Sequence, residues 1–168
     1  MQISRRPITK LALTNQGALD LVFLGVGSAF SKTLNQTNLF IDKGETHLLI
    51  DCGNQCSHSL FHDYGTPLTD IDNFLITHSH SDHIGGLEEA QLAGRYVKKR
   101  KPTMIITPAY EKILWEQSLR GGTEASEAIP LKFKDLWNIV RPRKLKTFSR
   151  DTFETDFGGI NLKLFRTK

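Results

Sequence analysis

The stretch Thr77-His78-Ser79-His80-Ser81-Asp82-His83-Ile84-Gly85-Gly86 places three imidazoles and a carboxylate within six residues, directly after the apolar run Phe74-Leu75-Ile76. Neutral imidazole nitrogen and carboxylate oxygen are the ligands that borderline first-row ions such as Zn²⁺ take, at roughly 2.0 to 2.2 Å. In an extended segment alternate side chains share a side, so His78 and His80 can hold one ion. Asp82 and His83 fall where the chain turns toward Gly85-Gly86, and a turn there can swing both toward a second ion. A lone histidine is ordinarily a satisfied core or surface residue. Four such groups in His-x-His-x-Asp-His order at a strand end point to a metal site.

The elements that must position these groups can be read from the period of the apolar residues. Alternation and short apolar runs predict strands near Ile3 to Lys10, Ala18 to Leu24, Thr37 to Asp42, His47 to Asp51, Asn73 to Thr77 and Met104 to Thr107. The turn at Asp42-Lys43-Gly44-Glu45 makes an antiparallel meander of the early strands. Helices fit Cys56 to Asp63, Gly86 to Lys98 and Ala109 to Leu119, the second starting beside the candidate metals with its positive dipole end toward them. Beyond Arg120 the pattern loosens. Gly121 to Glu127 reads as a flexible loop, Leu131 to Val140 as a short helix carrying Trp137, and Phe148 to Phe153 with Ile160 to Phe165 as paired strands across Asp156-Phe157-Gly158-Gly159.

The His78 to His83 loop resembles the signature of the metallo-β-lactamase superfamily. That resemblance implies an α/β chain with a four-layer αββα sandwich, a first metal on His78 and His80, and a second on Asp82 and His83. It also implies a nearby aspartate that buttresses a ligand, and Leu48-Leu49-Ile50-Asp51-Cys52-Gly53 matches its setting. Asp51 would accept a hydrogen bond from a ligand imidazole, fixing its tautomer and orientation. The opening Phe23-Leu24-Gly25-Val26-Gly27-Ser28, followed by Asn35 to Asp42, is similar to the phosphodiesterase branch, namely ribonuclease Z and the related cyclic-nucleotide phosphodiesterases. Gly25-x-Gly27 alone is a weak signal, read here as backbone approaching the metal cleft. It is not a dinucleotide fingerprint, because the third glycine would fall at Phe30.

The same resemblance calls for a third histidine, a bridging aspartate and a final histidine in the second half of the domain. None of the six histidines lies beyond His83. Two donors per ion bind far more weakly than a closed site, and half a sandwich would leave one sheet face bare. The expectation is that residues 1–168 form the N-terminal portion of a single domain, completed by the remainder of a longer enzyme, by a second chain, or in a homodimer.

Composition agrees with a globular enzyme domain: 168 residues, 39% hydrophobic and 24% charged. No apolar run approaches the roughly 20 residues that span a bilayer, and the basic N-terminus is not followed by the apolar core of a secretion signal, so a cytoplasmic protein without membrane partners is expected. Cys52 and Cys56 are too few for a disulfide scaffold and should stay reduced, Cys52 as a buried small residue. His58 and His62 share a helix face at i, i+4 without the following glutamate of a zinc-protease motif, and read as a solvated face. The net charge is +4 with a pI near 9.1. Basic clusters at Lys98 to Lys101 and Arg141 to Lys146 suit a polyanion, although each is more commonly a solvated helix end or loop.

These readings converge on a metal-dependent hydrolase using two divalent ions, Zn²⁺ or Mn²⁺, on a phosphodiester. Asp82 is the candidate catalytic residue, binding the second ion and helping to orient or deprotonate the nucleophile. The substrate would be a transfer-RNA 3′ trailer or a cyclic nucleotide. Leu87-Glu88-Glu89-Ala90 lacks the Phe-Gly-Leu-Pro continuation common in ribonuclease Z and tilts the expectation to the cyclic nucleotide. Two alternatives stand beside it: a noncatalytic remnant or interaction subunit, and a thioester or lactam hydrolase of the same superfamily.

Overall fold

In the computed structural model, which describes residues 10–146 and 148–166, the apolar pairs of the sequence explain the architecture. Phe40-Ile41, Leu48-Leu49, Phe74-Leu75 and Met104-Ile105 each bury one side chain on either face of a sheet. Strands covered on both faces read as continuous apolar runs rather than alternating ones. The sheet has six strands in chain order: β1 (Asp20–Gly25), β2 (Asn38–Lys43), β3 (Thr46–Ile50), β4 (Asn73–Leu75), β5 (Thr103–Ile105) and β6 (Asn138–Val140). The expected meander is present, with β1 to β3 antiparallel and β3 to β6 parallel. Parallel neighbours need crossover connections. Here these run through α1 (Cys56–Tyr64), α2 (Ser81–Ile84), α3 (Leu87–Ala93), α4 (Pro108–Leu114), α5 (Arg120–Thr123) and α6 (Phe133–Leu136).

One face of the sheet carries the main core, in which Phe40, Leu49, Phe74 and Met104 meet Leu60, Leu87, Leu114 and Trp137. Trp137 stands edge-on to Phe74 with ring centroids 5.5 Å apart. Its indole N–H donates to Gln91 Oε1 at 2.8 Å, and Gln91 in turn donates to Thr123 Oγ1 at 3.0 Å, so the polar atoms of this core are paired. The other face is covered by a second antiparallel sheet of β7 (Arg143–Leu145), β8 (Thr152–Phe157) and β9 (Ile160–Phe165). Ile160 and Leu162 close on Ile41, Leu48, Leu75 and Ile105, a cluster with no helix residue in it. The layers are therefore helices, sheet, sheet. The expected bare face is mostly covered, but Leu19, Leu21 and Phe23 at β1, an edge strand among the described residues, remain more than half exposed.

Several boundaries differ from expectation. Leu131 to Val140 is not one helix: α6 stops at Leu136, Trp137 turns extended, and residues 138–140 pair in parallel with β5. The burial of Trp137 and the free edge of β5 outweigh local helix propensity. Gly121 to Glu127 is not an open loop throughout, because α5 continues from a π-helical turn at Trp115–Leu119 and buries Thr123 against Gln91. The Gly86 to Lys98 helix likewise ends in a π-helical turn, Gly94–Lys98. The Phe148 to Phe153 strand begins at Thr152 and runs to Phe157, turning at Gly158 and Gly159, whose φ values of 58° and 83° suit a two-residue hairpin. The strand expected at Ile3 to Lys10 lies outside the described residues except for Lys10, which is irregular. Among the described residues, no helix is long and apolar enough to cross a membrane.

Candidate metal centre

Parallel β3 and β4 end at the same sheet edge, and the two segments that leave them are laced together. Asp51 N donates to Leu75 O at 2.9 Å, Cys52 N to His83 O at 2.8 Å, and Gly86 N to Cys52 O at 2.8 Å. Gly53 has no room for a side chain, since a Cβ would collide with the Asp82 carbonyl. Its N–H is held by Asn38 Oδ1 at 2.9 Å. The β3 exit and the histidine loop thus form one packed unit.

Asp51 is the hinge of that unit. Its φ is +63°, a left-handed conformation that aspartate tolerates better than most residues. The buried carboxylate accepts from Thr77 N–H at 2.8 Å, from the Thr77 hydroxyl at 2.8 Å, and lies 2.7 Å from His83 Nδ1. With a proton on Nδ1, the lone pair of His83 is left on Nε2. Asp51 therefore contacts an imidazole of the loop, and the particular ring is that of His83.

The four candidate ligands come together in two pairs. His78 Nε2 and His80 Nδ1 are 2.9 Å apart, and His83 Nε2 is 3.3 Å from Asp82 Oδ2. The His78 and His83 rings adjoin, with centroids 4.0 Å apart, so both pairs belong to one cluster. His80 caps the short α2 through its carbonyl, which accepts from His83 N and Ile84 N; this turn swings Asp82 and His83 back to the site. Among the described residues, no group of three or more His, Cys, Asp or Glu side chains is placed to hold an ion. Burial, and then the neighbouring His83 and His80, push the His78 pKa down, which keeps its ring neutral and its lone pair available at neutral pH.

Two contacts here had no signal in the sequence. Thr77 binds Asp51 through both its N–H and its hydroxyl, and Tyr110, on α4, meets Ser79 Oγ at 3.0 Å. Burial raises the Tyr110 pKa to about 12, so it stays an O–H group. At Gly25 and Gly27 a Cβ would run into Leu34 to Gln36, so glycine is needed there for close approach of two backbone segments. His58 and His62 share a face of α1, exposed, with ring centroids 4.2 Å apart. Cys52 and Cys56 are buried and unbridged. The Lys98 to Lys101 cluster is largely engaged locally, Lys98 with Asp70, Arg100 with Asp72 and Lys101 with the Lys134 carbonyl.

The two stacked sheets, the single helix layer and the loop at the β4 exit define a protein of the metallo-β-lactamase fold. Among solved structures, the chain is similar to the metallo-β-lactamase fold protein YhfI from Bacillus subtilis, with a TM-score of 0.55 and 16% identity, over 87% of this chain and 56% of that one. It is also similar to a diphosphatase from the PhnP family, with a TM-score of 0.50 and 15% identity, over 87% of this chain and 60% of that one. Within this fold the chain belongs to the family described as Anti-Pycsar protein Apyc1, whose profile matches residues 19–168. The Anti-Pycsar protein Apyc1 of Bacillus phage BSP38 is 40% identical over 148 residues, and that of Paenibacillus harenae 36% over 146. Both alignments cover 86% of this chain and 56% of the relative, so the chain spans about half the length of these relatives.

Proposed function

We propose that this chain carries the first half of a metal-dependent phosphodiesterase site acting on a cyclic nucleotide. The carrying observation is the pairwise convergence of His78 with His80 and of His83 with Asp82 at the β4 exit, braced by Asp51. The donor set fits a borderline divalent ion. Two nitrogens about 3.3 Å apart flank a tetrahedral ion at ordinary bond lengths, and His78 and His80 face each other at 2.9 Å. His78 and His80 would hold one Zn²⁺ or Mn²⁺, and Asp82 and His83 a second. Such paired ions lower the pKa of water and offset the charge that develops on a phosphate.

The chain's own residues contribute orientation and proton handling. Asp51 holds the Nδ1 proton of His83 and so directs its Nε2 lone pair toward Asp82. The Asp82 carboxylate, partly exposed, is placed to orient a nucleophile or take its proton. The remaining ligands and the group that protonates the leaving oxygen are assigned to the counterpart of the other half of the relatives, on this polypeptide or a second one. Residues 1–168 are accordingly read as the N-terminal portion of one domain. The name of one structural neighbour, a diphosphatase, is consistent with hydrolysis at phosphorus on this fold.

A second reading, an interaction subunit without turnover, is favoured by the exposed row Leu19, Leu21 and Phe23 and by the lack, among the described residues, of three donors placed for one ion. One experiment separates the two. Metal content is measured by plasma mass spectrometry on untagged protein, together with hydrolysis of cyclic mononucleotides, a chromogenic phosphodiester and a thioester. About two ions per chain with phosphodiester turnover is the expected result. No uptake after incubation with Zn²⁺ and Mn²⁺ hands the lead to the interaction subunit, and thioester turnover alone redirects the chemistry.

A further inference from the structure

We propose that Tyr110 is a positioning residue for the histidine loop, acting through Ser79, and that this tether sets the relative orientation of the His78 and His80 rings. The inference rests on reading that loop as a metal site. It begins from what holds the loop. At one end, Thr77 binds Asp51 through its N–H and hydroxyl. At the other, the His80 carbonyl accepts the amides of His83 and Ile84. Between them, His78 and Ser79 make no backbone–backbone hydrogen bond among the described residues. These two residues are held by side chains alone: His78 by Thr77 Oγ1 at 3.0 Å and by the rings of His80 and His83, all within the loop, and Ser79 by its hydroxyl.

The Ser79 hydroxyl, 3.0 Å from Tyr110 Oη, is the contact that ties this gap to a neighbouring element, α4. Ser79 lies between the two histidines, and in an extended segment its side chain leaves the opposite side from theirs. A tether on that side limits rotation of the segment without occupying a ligand position. Tyr110 is itself firmly placed. It is the third residue of α4, its N–H donates to the N-capping Thr107 hydroxyl at 3.3 Å, and its ring packs against the helix-side core. Either hydroxyl can donate in the Ser79–Tyr110 pair, so the tether needs no particular proton placement. Neither oxygen is a ligand in the proposed site, and the tether acts on the backbone between the ligands, whereas Asp51 contacts a ligand ring directly.

Tyr110→Phe keeps the ring and removes only the hydroxyl; Ser79→Ala removes the other end, and Ser79→Thr keeps it. Two readouts are taken on the full chain: Zn²⁺ affinity against a competing chelator, and the ¹⁵N-edited imidazole spectra of His78 and His80 without metal. Tyr110→Phe and Ser79→Ala should each weaken Zn²⁺ binding about tenfold and broaden or double the His78 and His80 ring signals. The double variant should be no worse than either single one, because both remove the same interaction. Ser79→Thr should restore the parent values. Unchanged ring signals and Zn²⁺ affinity in Tyr110→Phe overturn the proposal, as does additive loss in the double variant. A parent that takes up no Zn²⁺ overturns the metal reading instead, and the ring spectra then decide the tether by themselves.

Discussion

Histidines and carboxylates cluster at both ends of β3 and β4, and the two clusters are built differently. At the start of β3, His47 faces Asp42 across the hairpin and stacks on Phe40 with ring centroids 5.8 Å apart. Its Nε2 accepts the Asp72 N–H at 3.0 Å. That nitrogen is occupied by main chain, and burial pushes the His47 pKa down. At the other end, His78 touches both His80 and His83, and His83 touches two carboxylates, one of them on the hinge residue Asp51 with its left-handed φ. A histidine satisfied by backbone is part of the fold. Imidazoles whose nitrogens face each other at a surface edge are, on the proposed function, ligands for an ion, and strained conformations gather at functional sites.

The contrast is broken most severely by removing a candidate ligand. His80→Ala and His83→Ala should reduce metal-dependent phosphodiester turnover to background while the thermal unfolding midpoint of the metal-free protein moves little, since both rings sit outside the core. Parent-like turnover in either variant would remove the distinction between the two ends. Next in size is Asp51→Asn. Asparagine tolerates the same φ, so the fold should hold, but it accepts the His83 Nδ1 proton less strongly than a carboxylate does. Metal affinity should fall on the order of 10- to 100-fold by chelator competition.

Gly53→Ala sharpens the comparison from the backbone side. The new Cβ collides with the Asp82 carbonyl and Gln36 Oε1, so the packed unit must open. A stability loss of about 1–3 kcal/mol is expected from denaturant unfolding, with a severalfold drop in turnover that the unfolding alone does not account for at low temperature. Gly53 is not among the glycines with a positive φ, so the loss is assigned to the collision, and parent-like stability in Gly53→Ala would mean that the unit yields without cost.

How much of this was legible depended on whether the signal was local. The apolar pairs at Phe40-Ile41, Leu48-Leu49 and Phe74-Leu75 announced strands, and the spacing of His78, His80, Asp82 and His83 anticipated that they would meet in two pairs. Asp51 stood out beside a strand end, but the ring it would contact depended on the α2 turn that brings His83 back. The contacts of Thr77 with Asp51 and of Tyr110 with Ser79 join residues 26 and 31 positions apart, with nothing local to announce them. Trp137 misled for a related reason: Phe133, Leu136 and Trp137 have a helical period, and only the vacant edge of β5 makes the next residues a strand. Likewise the second sheet needed β7, whose Arg143-Lys144-Leu145 carries no strand signature and pairs because β8 is there.

The smallest effect expected on turnover is also the most direct test of the structural end. His47→Phe keeps an aromatic ring against Phe40 but leaves the Asp72 N–H without its acceptor, costing about 1–3 kcal/mol. Its pH signature has a definite sign. Because the folded pKa of His47 lies below 6.5, the unfolded chain binds more protons between the two values. The contribution is fully present above pH 6.5 and is lost as pH falls through the folded pKa. Asp42 acts in the opposite sense, because burial and the neighbouring Asp20 raise its pKa above 3.8. The folded protein then holds the extra proton, and that contribution fades as pH rises through the raised value. Urea unfolding from pH 4 to 8 should therefore show the parent gaining stability toward pH 6.5 and the variant lacking that rise, with phosphodiester turnover per folded molecule unchanged. If His47→Phe instead abolished turnover while stability and its pH profile stayed as in the parent, the ring would belong to the chemistry, and the two ends of the sheet would no longer divide into one that holds the fold and one that is poised to bind.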